Sequence, residues 1–236
     1  MKNEQWNLWD IPTYSAIEAA RLVGLRPERV RRWLLGYSYT YQPPGDVAER
    51  RVSKSPVLRR EGARSSTYAS FLDLIDLLFV KKFLEHGVSL QKLRVALQEA
   101  GTLLGGHHFA QRTFFTDGHE IFLRVEDSGQ ALLQLMSGGQ WVIAPVITAV
   151  AKQIEFHTVT GLAERWYPLG PGKPVVLDPR VCFGAPTILG RGTETAVVYD
   201  LYLAEGKNVA SVRSWMNLRQ EELASVIEFE KHLRAA

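Results

Sequence analysis

Along the first hundred residues the apolar positions fall in short blocks at helical spacing, each bounded by residues that start or stop a helix. Ser15-Ala-Ile-Glu18 has the form of a capping box, in which the serine side chain and the glutamate three residues on satisfy each other's free amides. The pattern predicts a helix over 16–23 that stops at Gly24, a residue suited to a left-handed cap. Leu25 and Arg26 then form a turn, and Pro27 opens a second helix that runs to about Leu35 and stops at Gly36. Ala19, Val23, Leu25, Val30 and Trp33 fall where two crossed helices must be apolar, and Ala20 is small enough for close approach. Two short helices joined by a tight glycine-containing turn form a helix-turn-helix pattern.

The period then changes. Gly36-Tyr-Ser-Tyr-Thr-Tyr41 alternates like a strand, and Ser65-Ser-Thr-Tyr68 is the candidate for its return. Between them, Gln42–Arg64 holds Pro43, Pro44 and Gly45 together with Arg50, Arg51, Lys54, Arg59 and Arg60, and reads as a mobile basic loop or a plain insertion. Phe71–Leu84 is dense in apolar residues, and Ser89 can cap a further helix over 90–104. After the glycine-rich stretch 101–106 the alternation becomes strand-like, with hairpins expected around Asp117-Gly118 and Ser137-Gly-Gly139. A short helix over 145–153 and strands over 161–168 and 174–177 follow. The last sixty residues return to helical spacing over 194–204, 209–215 and 218–233, with Asn208 as a cap and Asn217 with Gln220 as a second capping box. The fold class expected is α+β: an N-terminal winged helix-turn-helix (1–104, with 42–64 as the mobile loop), a small antiparallel sheet (105–174) and a C-terminal three-helix domain (175–236).

Composition adds bounds. The chain has 236 residues, 46% hydrophobic and 22% charged, and no apolar run approaches the roughly 20 residues of a membrane helix. One cysteine, Cys182, excludes an internal disulfide framework, and the N-terminus lacks the apolar stretch of a signal peptide. The expectation is a cytoplasmic protein with no membrane association. Charge is uneven: residues 1–100 carry a balance of +5 and residues 101–236 a balance of −2. One half of the chain is therefore suited to a polyanion.

The second helix of the pair concentrates that charge. Arg26, Arg29, Arg31 and Arg32, with Glu28 among them, lie off its apolar positions. Arginine reads guanine edges with two parallel hydrogen bonds and also grips phosphate, so this helix is the candidate reader of double-stranded DNA. Tyr39 and Arg64 are added as candidate contacts. The stretch Tyr14–Leu34, together with Leu84-Glu-His-Gly-Val-Ser-Leu-Gln-Lys-Leu-Arg94, resembles the MerR-type winged helix family. That resemblance implies a wing lying along the phosphate backbone and helices after it that pack the wing onto the recognition pair. The interval 42–64 is longer than the usual wing of that family.

Catalysis finds little support. His107, His108, His119 and His157, with Asp117 and Glu120, form no metal-ligand spacing, and no phosphate loop, nucleophile elbow or cofactor motif occurs. Cys182, between Val181 and Phe183, reads as a nucleophile or, better, as a small buried thiol. No enzymatic activity and no cofactor are expected.

Val176-Leu-Asp-Pro-Arg-Val-Cys-Phe-Gly-Ala-Pro-Thr-Ile188 resembles the entry segment of the small helical domain of VapB-like antitoxins. Where that family often has Gly-Thr-Arg, this chain has Gly190-Arg-Gly-Thr193. The order of modules resembles full-length antitoxins of that class. It implies a PIN-domain (VapC-like) ribonuclease toxin as partner, repression of the operon's own promoter, and a homodimer reading paired half-sites. Arg213, Trp215, Arg219 and Arg234 are candidate toxin contacts, because Trp and Arg are favoured interface anchors; for Trp215 a place in the core is the better reading. Two other readings stand beside this one: a stand-alone MerR-like transcription regulator with a ligand- or self-binding C-terminal region, and an interaction protein with no sequence preference.

Overall fold

The structure, a computed structural model, describes residues 8–45, 48–58, 60, 66–94, 110 and 149–235. Over these it is α+β, with helices and two small antiparallel sheets. The expected hairpins at 112–125 and 132–143, the glycine-rich boundary and the candidates His107, His108, Asp117, His119 and Glu120 lie outside the described residues.

α1 (Ala16–Val23) and α2 (Pro27–Leu35) form where the local chemistry dictates. Ser15 accepts from the Glu18 amide while Glu18 accepts from the Ser15 amide, so the capping box is complete. Gly24 closes α1 in the left-handed region at φ 65°, and Leu25 donates back to the Ala20 carbonyl at 2.7 Å. Ala19, Ala20, Val23, Val30, Trp33 and Leu34 are buried where the helices cross.

β1 (Tyr37–Tyr41) pairs with β2 (Arg50–Lys54) as an antiparallel hairpin. This corrects two expectations. The returning strand is Arg50–Lys54 and not Ser65–Tyr68, and the interval 42–64 is not one mobile loop. Its far end is pinned: the Val57 and Leu58 amides donate to the Trp33 carbonyl, and both side chains are buried. Arg60, counted from the sequence among the loop's basic residues, is 5% exposed and forms an ion pair with the buried Asp73 at 2.9 Å. It also donates to the Ser66 and Tyr68 carbonyls, so its charge serves the fold.

α3 (Phe71–Glu85) starts with a second capping box, Ser70 with Asp73, and is buried on nearly every side. A helical turn follows from Leu90, with the Lys92 amide donating to the Ser89 side chain. β3 (Ile154–Phe156), β4 (Ala163–Trp166), β5 (Val175–Leu177) and β6 (Pro186–Ile188) make an antiparallel sheet in that order. β5 joins two cores. Its Leu177 packs into the core of α1 to α3, and its Val175 packs beneath the C-terminal helices.

Those helices are α4 (Thr195–Ala204), α5 (Val209–Met216) and α6 (Gln220–Ala235). Asn208 caps α5 by accepting from the Ala210 and Ser211 amides. Asn217 does not form a capping box with Gln220. It closes α5 in the left-handed region, and the box's return bond is made by Glu222, which accepts from the Arg219 amide at 2.7 Å.

Tyr14 ties the two ends of the chain together. Its backbone pairs with Ala69 ahead of α3, and its buried hydroxyl donates to the Gly184 carbonyl at 2.7 Å. Burial, then the charges of Glu18 and Asp178, push the phenol well above its ordinary range and keep it a donor. A Cβ at Gly184 would collide with that hydroxyl.

Glu222 sets an acid limit. Burial alone would raise its carboxyl, but hydrogen bonds from Arg191 and Arg219 outweigh burial and hold it at about 2. A depressed carboxyl contributes stability above its unfolded pKa and loses it as pH falls through the folded value. Stability should therefore decline between about pH 4.5 and pH 2. Glu222→Gln should cost roughly 1–3 kcal/mol at pH 7 and flatten that decline. Urea unfolding at pH 7 and pH 3 measures both.

Candidate nucleic-acid interface

The spacing of α2 decides what it shows to solvent. With Val30, Trp33 and Leu34 turned inward, Arg26, Glu28, Arg29, Arg31 and Arg32 are all exposed. Glu28 in the first turn complements the positive end of the helix dipole. Arg29 lies over the Trp33 ring at 6.0 Å, and Arg32 lies over the Tyr37 ring at 5.0 Å. Contacts of this kind restrict a long side chain, so less of its freedom is left to lose on binding.

Gly36 makes the passage from helix to hairpin possible. It sits at φ 74°, and a Cβ there would collide with the Lys54 carbonyl. With the strand starting one residue after the cap, the hairpin lies against the end of α2. One hairpin face pairs Tyr37 with Lys54, Tyr39 with Val52 and Tyr41 with Arg50. The tyrosines run along it as neighbouring rings, 6.1 and 6.2 Å between centroids, and Tyr39 and Tyr41 are each 45% exposed. The other face carries Ser38, Thr40, Arg51 and Ser53, with Arg51 donating to Ser38 at 3.1 Å. Arg32 stacked on Tyr37 joins the helix to the tyrosine face, producing one basic, aromatic surface.

Of the sequence candidates, Arg26, Glu28, Arg29, Arg31 and Arg32 are exposed on α2 and its cap, with Arg32 reaching the hairpin, and Tyr39 lies on the tyrosine face, while Arg64 lies outside the described residues. Sequence reasoning passed over Tyr37 and Tyr41, and it placed Arg50 and Lys54 in a mobile basic loop where the structure has a strand. The period-two spacing of the three tyrosines was the signal for the first two.

The candidate toxin contacts do not converge. Arg213 donates to the Leu218 carbonyl, and Arg219, 71% exposed, pairs with Glu222. Arg234 pairs with Asp200 and Glu230 and lies over the Tyr199 ring at 4.7 Å. Fifteen helical residues, about 22 Å, separate Arg219 from Arg234. Trp215 is 68% exposed, which overturns the reading of it as core: short α5 buries only Val212 fully.

Cys182 is half-buried, not buried, and its thiol donates to the Gly192 carbonyl. It and Phe183 both occupy the left-handed region, and Phe183 is 83% exposed. A cleft of about 660 Å³ lies beside them, between α1 and the C-terminal helices, lined among others by Arg21, Phe183, Glu194 and Arg234. His157 closes a turn by accepting from the Val159 and Thr160 amides. Among the described residues no three of His, Cys, Asp and Glu gather as a metal site. No helix of the described residues is long and apolar enough to cross a membrane.

No family model matches the chain. It is 25% identical over 201 residues to the Mycobacterium tuberculosis protein named "Putative antitoxin VapB45", covering 80% of this chain and 82% of that one. It is 29% identical over 101 residues to uncharacterized HTH-type transcriptional regulators of Mycobacterium bovis and Mycobacterium tuberculosis, covering 41% of this chain and 44% of theirs. The crystal structure of Rv2018 from Mycobacterium tuberculosis superposes with a TM-score of 0.66 at 22% identity, covering 93% of this chain and 98% of that one. The fold is therefore one already seen in a crystal, and the chain is related at low identity to a protein named as a putative antitoxin and to proteins named as HTH-type regulators.

Gly36→Ala places a side chain at positive φ against the Lys54 carbonyl. It should destabilise the protein by about 1–3 kcal/mol, read as a lower urea midpoint at unchanged slope.

Proposed function

We propose that the protein is a DNA-binding antitoxin that represses its own operon and neutralises a PIN-domain ribonuclease. In this reading α1 and α2 are a helix-turn-helix and β1–β2 is its wing. α2 enters the major groove with Arg29, Arg31 and Arg32 toward base edges, and Lys54 and Arg50 meet phosphate. The observation that carries it is the continuity of the exposed α2 arginines with the tyrosine and basic face of the hairpin. Palindromic half-sites call for a homodimer. The similarity to an antitoxin over four-fifths of the chain supports the toxin partner. The protein acts in the cytoplasm, without a cofactor and without catalysing a reaction, and its C-terminal helices form the antitoxin domain.

A stand-alone regulator is the second reading. It is favoured by the similarity to HTH-type regulators and by the cleft between α1 and the C-terminal helices, which has the volume of a small-molecule site.

The chain should co-purify with the product of the adjacent gene and silence its RNase activity. Promoter binding without such a complex leaves the regulator reading. Arg31→Ala and Arg32→Ala should weaken promoter DNA by about 1–3 kcal/mol more than random DNA, measured by fluorescence anisotropy at fixed salt. Equal loss on both sequences removes base reading by that residue.

A further inference from the structure

The β1–β2 hairpin contributes no buried side chain to either core. Tyr37 and Val52 are half-buried, and the other eight residues of its two strands are exposed. Tyrosine favours strands, so one such residue needs no special account. Three at alternate positions on one face, with Tyr39 and Tyr41 each 45% exposed, do need one.

The two faces of the hairpin divide its chemistry. One carries Ser38, Thr40, Arg51 and Ser53, whose hydroxyls and guanidinium suit phosphate. The other alternates charge with rings. Lys54 stands opposite Tyr37, Arg50 stands opposite Tyr41, and Val52 lies between them opposite Tyr39. Arg32 joins the first end, 5.0 Å from the Tyr37 ring. The paired positions hold no acid, because Asp46 and Glu49 both fall between the strands in sequence.

Cations at both ends and rings between them match a strand that offers phosphates at intervals and a flat base beside each one. A duplex does not match the rings. Its bases lie on one another at about 3.4 Å per step of each strand, whereas the ring centroids are 6.1 and 6.2 Å apart. A single strand can unstack and splay its bases, and so set one against each exposed ring.

We infer that the tyrosine face of the hairpin binds single-stranded nucleic acid. Unpaired bases stack on Tyr39 and Tyr41, and Lys54 and Arg50 meet the phosphates. Tyr37 is already engaged by Arg32 and closes the row. Every base has an aromatic face, so this binding carries little sequence preference. It is separate from duplex reading by α2 and needs no toxin.

The test is fluorescence anisotropy at fixed salt, using the full-length chain with labelled oligo-dT, oligo-U and a dA·dT duplex, each about ten nucleotides long. At least one of the two single strands should bind, and the tighter one tells DNA from RNA. Tyr39→Ala with Tyr41→Ala should weaken that strand about tenfold or more, and by a larger factor than the duplex. The slope against salt should stay unchanged, because no cation is removed. Tyr39→Leu with Tyr41→Leu should lose as much, since leucine keeps apolar bulk without a ring. Tyr39→Phe with Tyr41→Phe should keep the wild-type affinity, and melting temperatures check that each variant folds. Wild-type affinity in the leucine pair, a loss in the phenylalanine pair, or equal losses on strand and duplex overturn the inference. A wild-type chain that binds its promoter but neither single strand also overturns it and leaves the DNA-binding reading intact. Binding of a single strand without promoter binding sustains the inference and removes that reading instead.

Discussion

Burial of α3 around almost its whole circumference is the constraint on which the rest depends. Eleven of its fifteen residues are buried, from Phe71 through Val80 and again at Phe83. A helix apolar on all sides has to be surrounded, and the described residues that share its core come from α1, α2, Val57 and Leu58, and β3 to β5. Asp73, one of the acids this burial traps, is accommodated locally: it caps the helix and pairs with Arg60. The Arg60 pair has a consequence outside the core. It anchors the chain after β2 and so limits where the hairpin can lie relative to α2.

The local parts of this arrangement were legible in the sequence. Both ends of α1, the proline start of α2 and the Asn208 cap of α5 are encoded by residues within four positions of the helix end, where capping acts; the start of α6 was misplaced by two residues, because Asn217 closes α5 and Glu222 does the capping. The partner of β1 was not legible. Arg50–Lys54 is polar on both faces and exposed at four of its five positions, so it carries no alternation in hydrophobicity. Its pairing comes from long-range contacts, in which Gly36 brings β1 against Lys54 and Trp33 holds Val57 and Leu58. Arg60 escaped for a similar reason: a basic residue among basic residues looks solvated until its buried carboxylate, thirteen positions away, is known. Trp215 failed in the opposite sense, because a tryptophan in a short helix usually finds cover.

The segment Gly190-Arg-Gly-Thr193 shows how a departure from a family pattern gains meaning from structure. Arg191 reaches the start of α6 and holds Glu222 with two hydrogen bonds, joined there by Arg219. The arginine therefore fixes the corner between α5 and α6. Whatever that corner presents to a partner depends on this pair, in which Glu222 is buried and Arg191 is not.

The two halves of the molecule are not independent in their motion. Tyr14, one residue before the cap of α1, is bonded to Gly184; that glycine follows Phe183, which projects into solvent from a left-handed backbone. Leu22 on the same helix packs against both cores. A ligand or partner that displaced the 181–184 segment would have to break the Tyr14 bond or carry α1 with it, and α2 is fixed to α1 by a three-residue turn. Binding at the C-terminal side and DNA reading by α2 thus share one mechanical element. Thermodynamic linkage then requires any effect of a partner on DNA affinity to be matched by an equal effect of DNA on partner affinity.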